Sequence, residues 1–159
     1  MPFNIWQWHL ENTSWTCEFW HKKGVNFNTY SNGALLEASD TYGSGFSINF
    51  GQDNTQYSFR MAGMDNWTGN YRGNADSWNH LAVVKNEGTL SFYVNGERKI
   101  NNIVLNENPS SNYIPDKGFT IGFTSTSDYR DYSIAKVRFS KVARYTGESF
   151  TPSKAYTAD

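Results

Sequence analysis

The carboxylates of this chain are spaced in a way that argues against hydrolysis. A retaining glycosidase needs two carboxyl groups about 5 Å apart, and alternate positions on one strand provide roughly that separation. Glu18 stands alone on its predicted strand, Glu37 and Asp40 straddle a strand end, and Glu87, Glu97 and Glu107 fall in or beside turns. His9, His21 and His80 are scattered and show no metal-ligand spacing. Nothing marks a nucleophile beside a base. The expectation is a chain that is not an enzyme.

Binding chemistry is better represented. The segment from Met64 to Ser77 is long, falls between predicted strands, and mixes Trp67 and Tyr71 with Asn66, Asn70 and Arg72. Sugars present apolar C–H faces ringed by hydroxyls, so an aromatic plane beside amide and guanidinium groups suits them. The same segment also reads as a turn-rich connection in which Trp67 covers the rim of the fold. Asp128 and Asp131 flank Tyr129-Arg130 just before the last predicted strand. They offer carboxylates that calcium would need, or a surface charge cluster with Arg130. No cofactor is required by the sequence, and calcium is the one cation it leaves open.

These groups must be carried by strands. Trp78 to Arg98, WNHLAVVKNEGTLSFYVNGER, reads as a β-hairpin with a second turn attached. Leu81 and Val83 alternate with Ala82 and Val84, so both faces of that strand are apolar, as in a sheet covered on both sides. Asn95-Gly96 is a strong short hairpin signal. Strands are predicted at Phe3–Leu10, Trp15–Lys22, Ala34–Ala38, Gly45–Phe50, Gln56–Met61 and Trp78–Lys85. Four more follow at Thr89–Asn95, Arg98–Leu105, Phe119–Phe123 and Ser133–Ser140, with a helical turn at Lys141–Tyr145.

Phase assigns a core of Trp15, Phe19, Leu81, Val83, Phe92, Val94, Val137 and Phe139. It turns Trp20 and Tyr93 to the other side and puts Ala135 inside with Val137. Trp6 and Trp8 share a face of the first predicted strand, where they cover the core edge or, with Trp20, form a docking surface. Many short strands, tight turns and no βαβ rhythm give an all-β fold, an antiparallel two-sheet β-sandwich.

Specific stretches carry a family resemblance. Trp78-x-His80 leading through Leu90 to Val94-Asn95-Gly96, Trp15-Thr16-Cys17-Glu18-Phe19-Trp20, and Ile134 to Gly147 followed by Phe150-Thr151-Pro152 are in the expected order. They resemble the laminin-G-like domains of the concanavalin A-like lectin/glucanase superfamily, of the type common in bacteriophage virion proteins. The resemblance implies a jelly roll, a structural role for His80 beside the Trp, and a lectin-like module of a phage tail or capsid. The acidic pair that such domains carry before "V-R" is Ala135-Lys136 here.

Composition sets the remaining bounds. At 159 residues the chain is expected to be a single domain, 1–159. Net charge is −1 with no clustered basic face, which argues against a nucleic-acid partner. Cys17 is the single cysteine, in phase with Trp15 and Phe19, and is expected as a small buried apolar residue. Met1 to Leu10 has neither a basic region nor a long apolar run, so no signal peptide is expected. No apolar stretch approaches membrane-spanning length. The expectation is synthesis in a host cytoplasm and a working place on a virion. Two functions stay open: recognition of a cell-surface glycan, or docking to another virion protein with no glycan ligand.

Overall fold

The computed structural model describes residues 14–24, 33–39, 45–50, 56–61, 68–74, 76–104, 119–121 and 132–154. All regular structure among them is β-strand: β1 (Trp15–Lys23), β2 (Gly33–Ser39), β3 (Gly45–Phe50), β4 (Gln56–Met61) and β5 (Thr68–Arg72). The chain continues through β6 (Asn79–Asn86), β7 (Thr89–Val94), β8 (Glu97–Val104), β9 (Phe119–Ile121) and β10 (Tyr132–Ser140). One five-stranded sheet runs β10-β1-β6-β7-β8 and the other β5-β4-β3-β2-β9. All pairings are antiparallel, and the result is the expected β-sandwich.

Period-two alternation builds the core. Trp15, Cys17, Phe19, Leu81, Val83, Leu90, Phe92 and Val94 from the first sheet meet Leu36, Ile48, Tyr57 and Phe59 from the second. Phe59 and Phe92 stack across the interface with ring centroids 5.7 Å apart. Polar contact also crosses the sandwich, with His21 Nδ1 and Tyr57 Oη 2.8 Å apart. Burial lowers His21 to about 3, so its ring is neutral. Burial also pushes the Tyr57 phenol well up, with the Asn79 side chain opposing.

The outer face of the first sheet is covered too, as the two apolar faces of β6 require. Residues 141–152 cross it as a strap, and Ala143, Tyr145 and Phe150 pack on Ala82, Val84 and Tyr93. The predicted helical turn at Lys141–Tyr145 is not formed. Thr16 Oγ1 donates to the Val142 carbonyl at 2.8 Å and accepts from the Arg144 N–H at 3.0 Å. Those backbone groups are thereby withdrawn from the bonds a helix would need.

Two further expectations are corrected. β5 occupies Thr68–Arg72, inside the segment read as a connection, and pairs with β4 as the sheet's edge. In β10 the single inward phase breaks. Glu18 faces Arg138 and Trp20 faces Ala135, so an extra residue is accommodated between them. Lys136 takes the left-handed φ of 53° that opens this bulge. Ile134 therefore packs on the core, Ala135 shares the outer side with Trp20, Phe139 is half-buried, and Val137 is 37% exposed.

Candidate functional site

Glu18 lies on the outer side of β1, beneath the strap, and is fully buried. Its Oε2 accepts from Tyr145 Oη at 2.8 Å and meets His80 Nε2 at 2.8 Å. Facing a carboxylate, that His80 nitrogen carries its proton. Oε1 accepts from Arg138 Nε at 2.8 Å and from Arg138 Nη2. Burial alone would raise the carboxyl, but bonds from His80, Arg138 and Tyr145 outweigh it and hold Glu18 below the usual carboxylate range. Burial and the Glu18 carboxylate push the Tyr145 phenol up to about 12. The cluster ties β1, β6, β10 and the strap together. Its carboxylate is saturated and closed to any substrate.

A frame of asparagines builds the neighbouring edge. Asn79 Oδ1 accepts from the Asn74 N–H at 2.6 Å and from Asn95 Nδ2 at 2.8 Å. Its Nδ2 donates to the carbonyls of Asn74 and Ser77. Asn95 Oδ1 in turn accepts from the His80 N–H at 2.9 Å. One amide therefore fixes the run that delivers Trp78. At Gly96, where φ is +80°, a Cβ would collide with the Phe150 carbonyl. The Phe150 N–H donates to the Gly96 carbonyl at 2.8 Å, and this seats the far end of the strap.

Trp20 separates the Glu18 cluster from an open groove. On one side its ring meets His80 edge-on, with centroids 5.2 Å apart. On the other, Trp20, Trp78, Ala135, Lys136 and Lys154 line a groove of about 370 Å³. Ligand clefts commonly fall between about 300 and 1,000 Å³. Trp20 comes from β1, Trp78 from the asparagine-fixed run, Ala135 and Lys136 from the bulge, and Lys154 from beyond the strap. Trp78 is 41% exposed. Trp20 Nε1 is buried and has no hydrogen-bond partner among the described residues. Lys136 and Lys154 are exposed, and neither forms an ion pair among the described residues. Among the described lining residues none is a carboxylate, and they offer an apolar stacking surface with two ammonium groups.

Most of the residues singled out by sequence fall outside the described part of the chain. Trp67, Asn66, Trp6, Trp8, Asp128 and Asp131 lie outside the described residues, as does the side chain of Asn70. Tyr71 belongs to β5 rather than a loop, and its ring packs on Phe92 at 6.0 Å with its phenol raised by burial. Arg72 is exposed at the end of the same strand. Of the docking residues Trp20 is the one described, half-buried in the groove wall. Sequence reasoning passed over Trp78, Lys136 and Lys154 as ligand groups. A signal existed for Trp78, a large ring between Ser77 and Asn79 where no core phase claims it.

A family profile described as the concanavalin A-like lectin/glucanases superfamily matches residues 6–148. The sequence matches no curated protein. Among solved structures, the binding domain of botulinum neurotoxin DC in complex with rat synaptotagmin II is similar at TM-score 0.62 and 15% identity, covering 86% of this chain and 34% of that one. A botulinum neurotoxin type C structure, described with cell entry dependent on two ganglioside molecules, gives TM-score 0.60, 16% identity, and 84% and 34% coverage. Trypanosoma rangeli sialidase with 2,3-difluorosialic acid gives 0.60, 15% identity, and 87% and 22% coverage. The chain thus spans about a third or less of each of these proteins.

Proposed function

Because the chain belongs to the concanavalin A-like lectin/glucanase superfamily, we propose that it is a non-catalytic, lectin-like module that recognises a cell-surface glycan on behalf of a phage tail or capsid. The observation that carries this reading is the open groove between Trp20 and Trp78. Two indoles at one cleft offer the flat apolar surface on which the C–H face of a pyranose settles. Solved relatives whose descriptions concern gangliosides and a sialic acid derivative support a glycan as partner. The virion setting rests on the resemblance of Ile134 to Pro152 to phage virion domains.

The non-catalytic part rests on where the carboxylates are. Glu18 is saturated by its donors, and no described residue lining the groove is a carboxylate. Reproducible release of reducing sugar from a β-glucan, lost on Glu18→Gln in a variant that still folds, would overturn it.

A glycan array with and without calcium tests recognition. Binding that is lost on Trp78→Ala supports the groove. Binding that is untouched by Trp78→Ala but lost on Trp67→Ala would move the site to the segment holding Asn66 and Trp67. Loss of binding on chelation, reproduced by changing Asp128 or Asp131, would bring in calcium. The docking reading is favoured by the same Trp20 wall and by the complex of a relative with synaptotagmin II, a protein. It predicts an array without hits, together with loss of particle incorporation on changing Trp6, Trp8 or Trp20.

A further inference from the structure

We infer that the groove selects an acidic saccharide, one bearing a carboxylate or a sulfate, with Lys136 and Lys154 as its anion-binding residues. The inference rests on the glycan reading above and names the class of ligand.

The first observation is local charge. The whole chain carries a net charge of −1. The groove nevertheless brings two ammonium groups together, and among the described residues no carboxylate lines it and no acid pairs with either lysine. A negatively charged ligand would meet two cations that no described acid engages. A neutral sugar would use the indoles alone.

The second observation is conformational. Lys136 holds φ at 53°, a region in which an L-residue clashes and which glycine or asparagine occupies more readily. A bulge on an edge strand needs no long cation at that position. Strain kept at a groove wall points to a use for the side chain that strain delivers. The bulge also turns Ala135 to Trp20's side of the sheet, where its methyl leaves space beside the indole.

The third is the pair of indoles: Trp78, 41% exposed, and Trp20 line the same groove as the two lysines, so a sugar ring would find apolar contact beside the cations. An oligonucleotide or an acidic peptide shares the negative charge. Two lysines do not make the basic track that a phosphate backbone requires, however, and two indoles suit the flat C–H face of a sugar ring better than an acidic peptide.

The test is an array of matched glycans printed on the same core: lactose, 3′-sialyllactose and 3′-sulfolactose, with a broader set of neutral, uronate-bearing and sulfated pairs beside them. The whole chain is compared with Lys136→Asn, which keeps the left-handed position comfortable, with Lys154→Gln, and with the double variant. Acidic members should bind about tenfold tighter than their neutral cores at low salt, since two exposed charge contacts supply on the order of 1–2 kcal/mol. That preference should collapse in the double variant and as salt rises. A hit confined to the sialyl or to the sulfo arm identifies which acid is read.

Equal binding of neutral and acidic partners would overturn the inference and leave the glycan reading standing. The same holds if an acidic preference survives in the double variant. An array without hits removes both, and so does capture of oligo-dT or of a Glu/Asp-rich peptide through these lysines with no sugar bound.

Discussion

Both sides of Trp20 carry cationic and aromatic side chains, and the two sides end in opposite states. Behind it, an anion, a guanidinium, an imidazole and a phenol satisfy one another under the strap, and the Glu18 and His80 side chains are fully buried. In front, two lysines and a second indole face outward with no ionic partner among the described residues. A buried charge must be paired or it unfolds its surroundings. The rear cluster is therefore architecture, and its cation, Arg138, is already engaged. A solvated ammonium is under no such pressure and stays available. Availability, rather than the presence of ionisable groups, separates a candidate site from a staple.

The hardest way to break this comparison is through Glu18. Glu18→Gln removes the anion that Arg138, 13% exposed, is bound to. Breaking a buried pair from one side costs about 3–5 kcal/mol, which chemical denaturation would read directly. An unchanged unfolding midpoint would show that the cluster is not what holds the strap.

Acid should work in the same direction. His21 is held at about 3 by burial, against an ordinary value of 6.5. The fold thus binds fewer protons than the unfolded chain, and stability is fully present above about pH 6.5 and falls as pH drops towards 3. At about pH 4 the loss from this one group is on the order of 3 kcal/mol. Glu18, also lowered, adds a further loss as pH falls through its own folded value. Denaturant melts between about pH 7 and about pH 4 measure the slope, and His21→Leu should flatten it.

Legibility in the sequence follows the same division. The inner face of the sandwich is readable because alternation along β1, β6 and β7 is unbroken, and Trp15, Phe19, Leu81, Val83, Phe92 and Val94 are buried where phase puts them. The last strand is not, because period two has no means of registering an extra residue. The bulge is opened by Lys136, which carries none of the turn signal a glycine would give. β5 is hidden by Gly69 and Asn70, turn-forming residues that an edge strand tolerates, and by Gly73 just after it. The strap reads as helix locally and is held extended by Thr16, a partner 126 residues away from Val142. The groove is less legible still. Its walls come from β1, the run before β6, the bulge of β10 and the residues after the strap, so no local window contains the site.

On the open side the comparison predicts function without stability. Trp78→Ala removes a ring that is 41% exposed, so the folding free energy should move by no more than about 0.5 kcal/mol. Affinity for a bound glycan should fall about tenfold, the effect of losing roughly 1–2 kcal/mol of stacking. Titration calorimetry beside a melt separates the two quantities. A large drop in stability with no change in affinity would make Trp78 a lid for the core.

The smallest expected effect is the most discriminating. Lys136 sits at φ 53° in an exposed edge strand, where a non-glycine residue costs about 1–2 kcal/mol. Glycine avoids that clash but gives back about 0.5–1 kcal/mol through the entropy of the unfolded chain. Lys136→Gly should therefore be slightly stabilising, by about 0.5–1 kcal/mol, and raise Tm by about 2–4 °C at most for a chain of this size. A charged residue on an edge strand also hinders edge-to-edge pairing. If that were the reason for Lys136, the glycine variant would self-associate in sedimentation and bind every glycan as before. If the lysine is kept for a ligand, the variant stays monodisperse relative to the parent, melts slightly higher, and loses its preference for acidic sugars. A stabler protein that binds less well would show strain being kept for function.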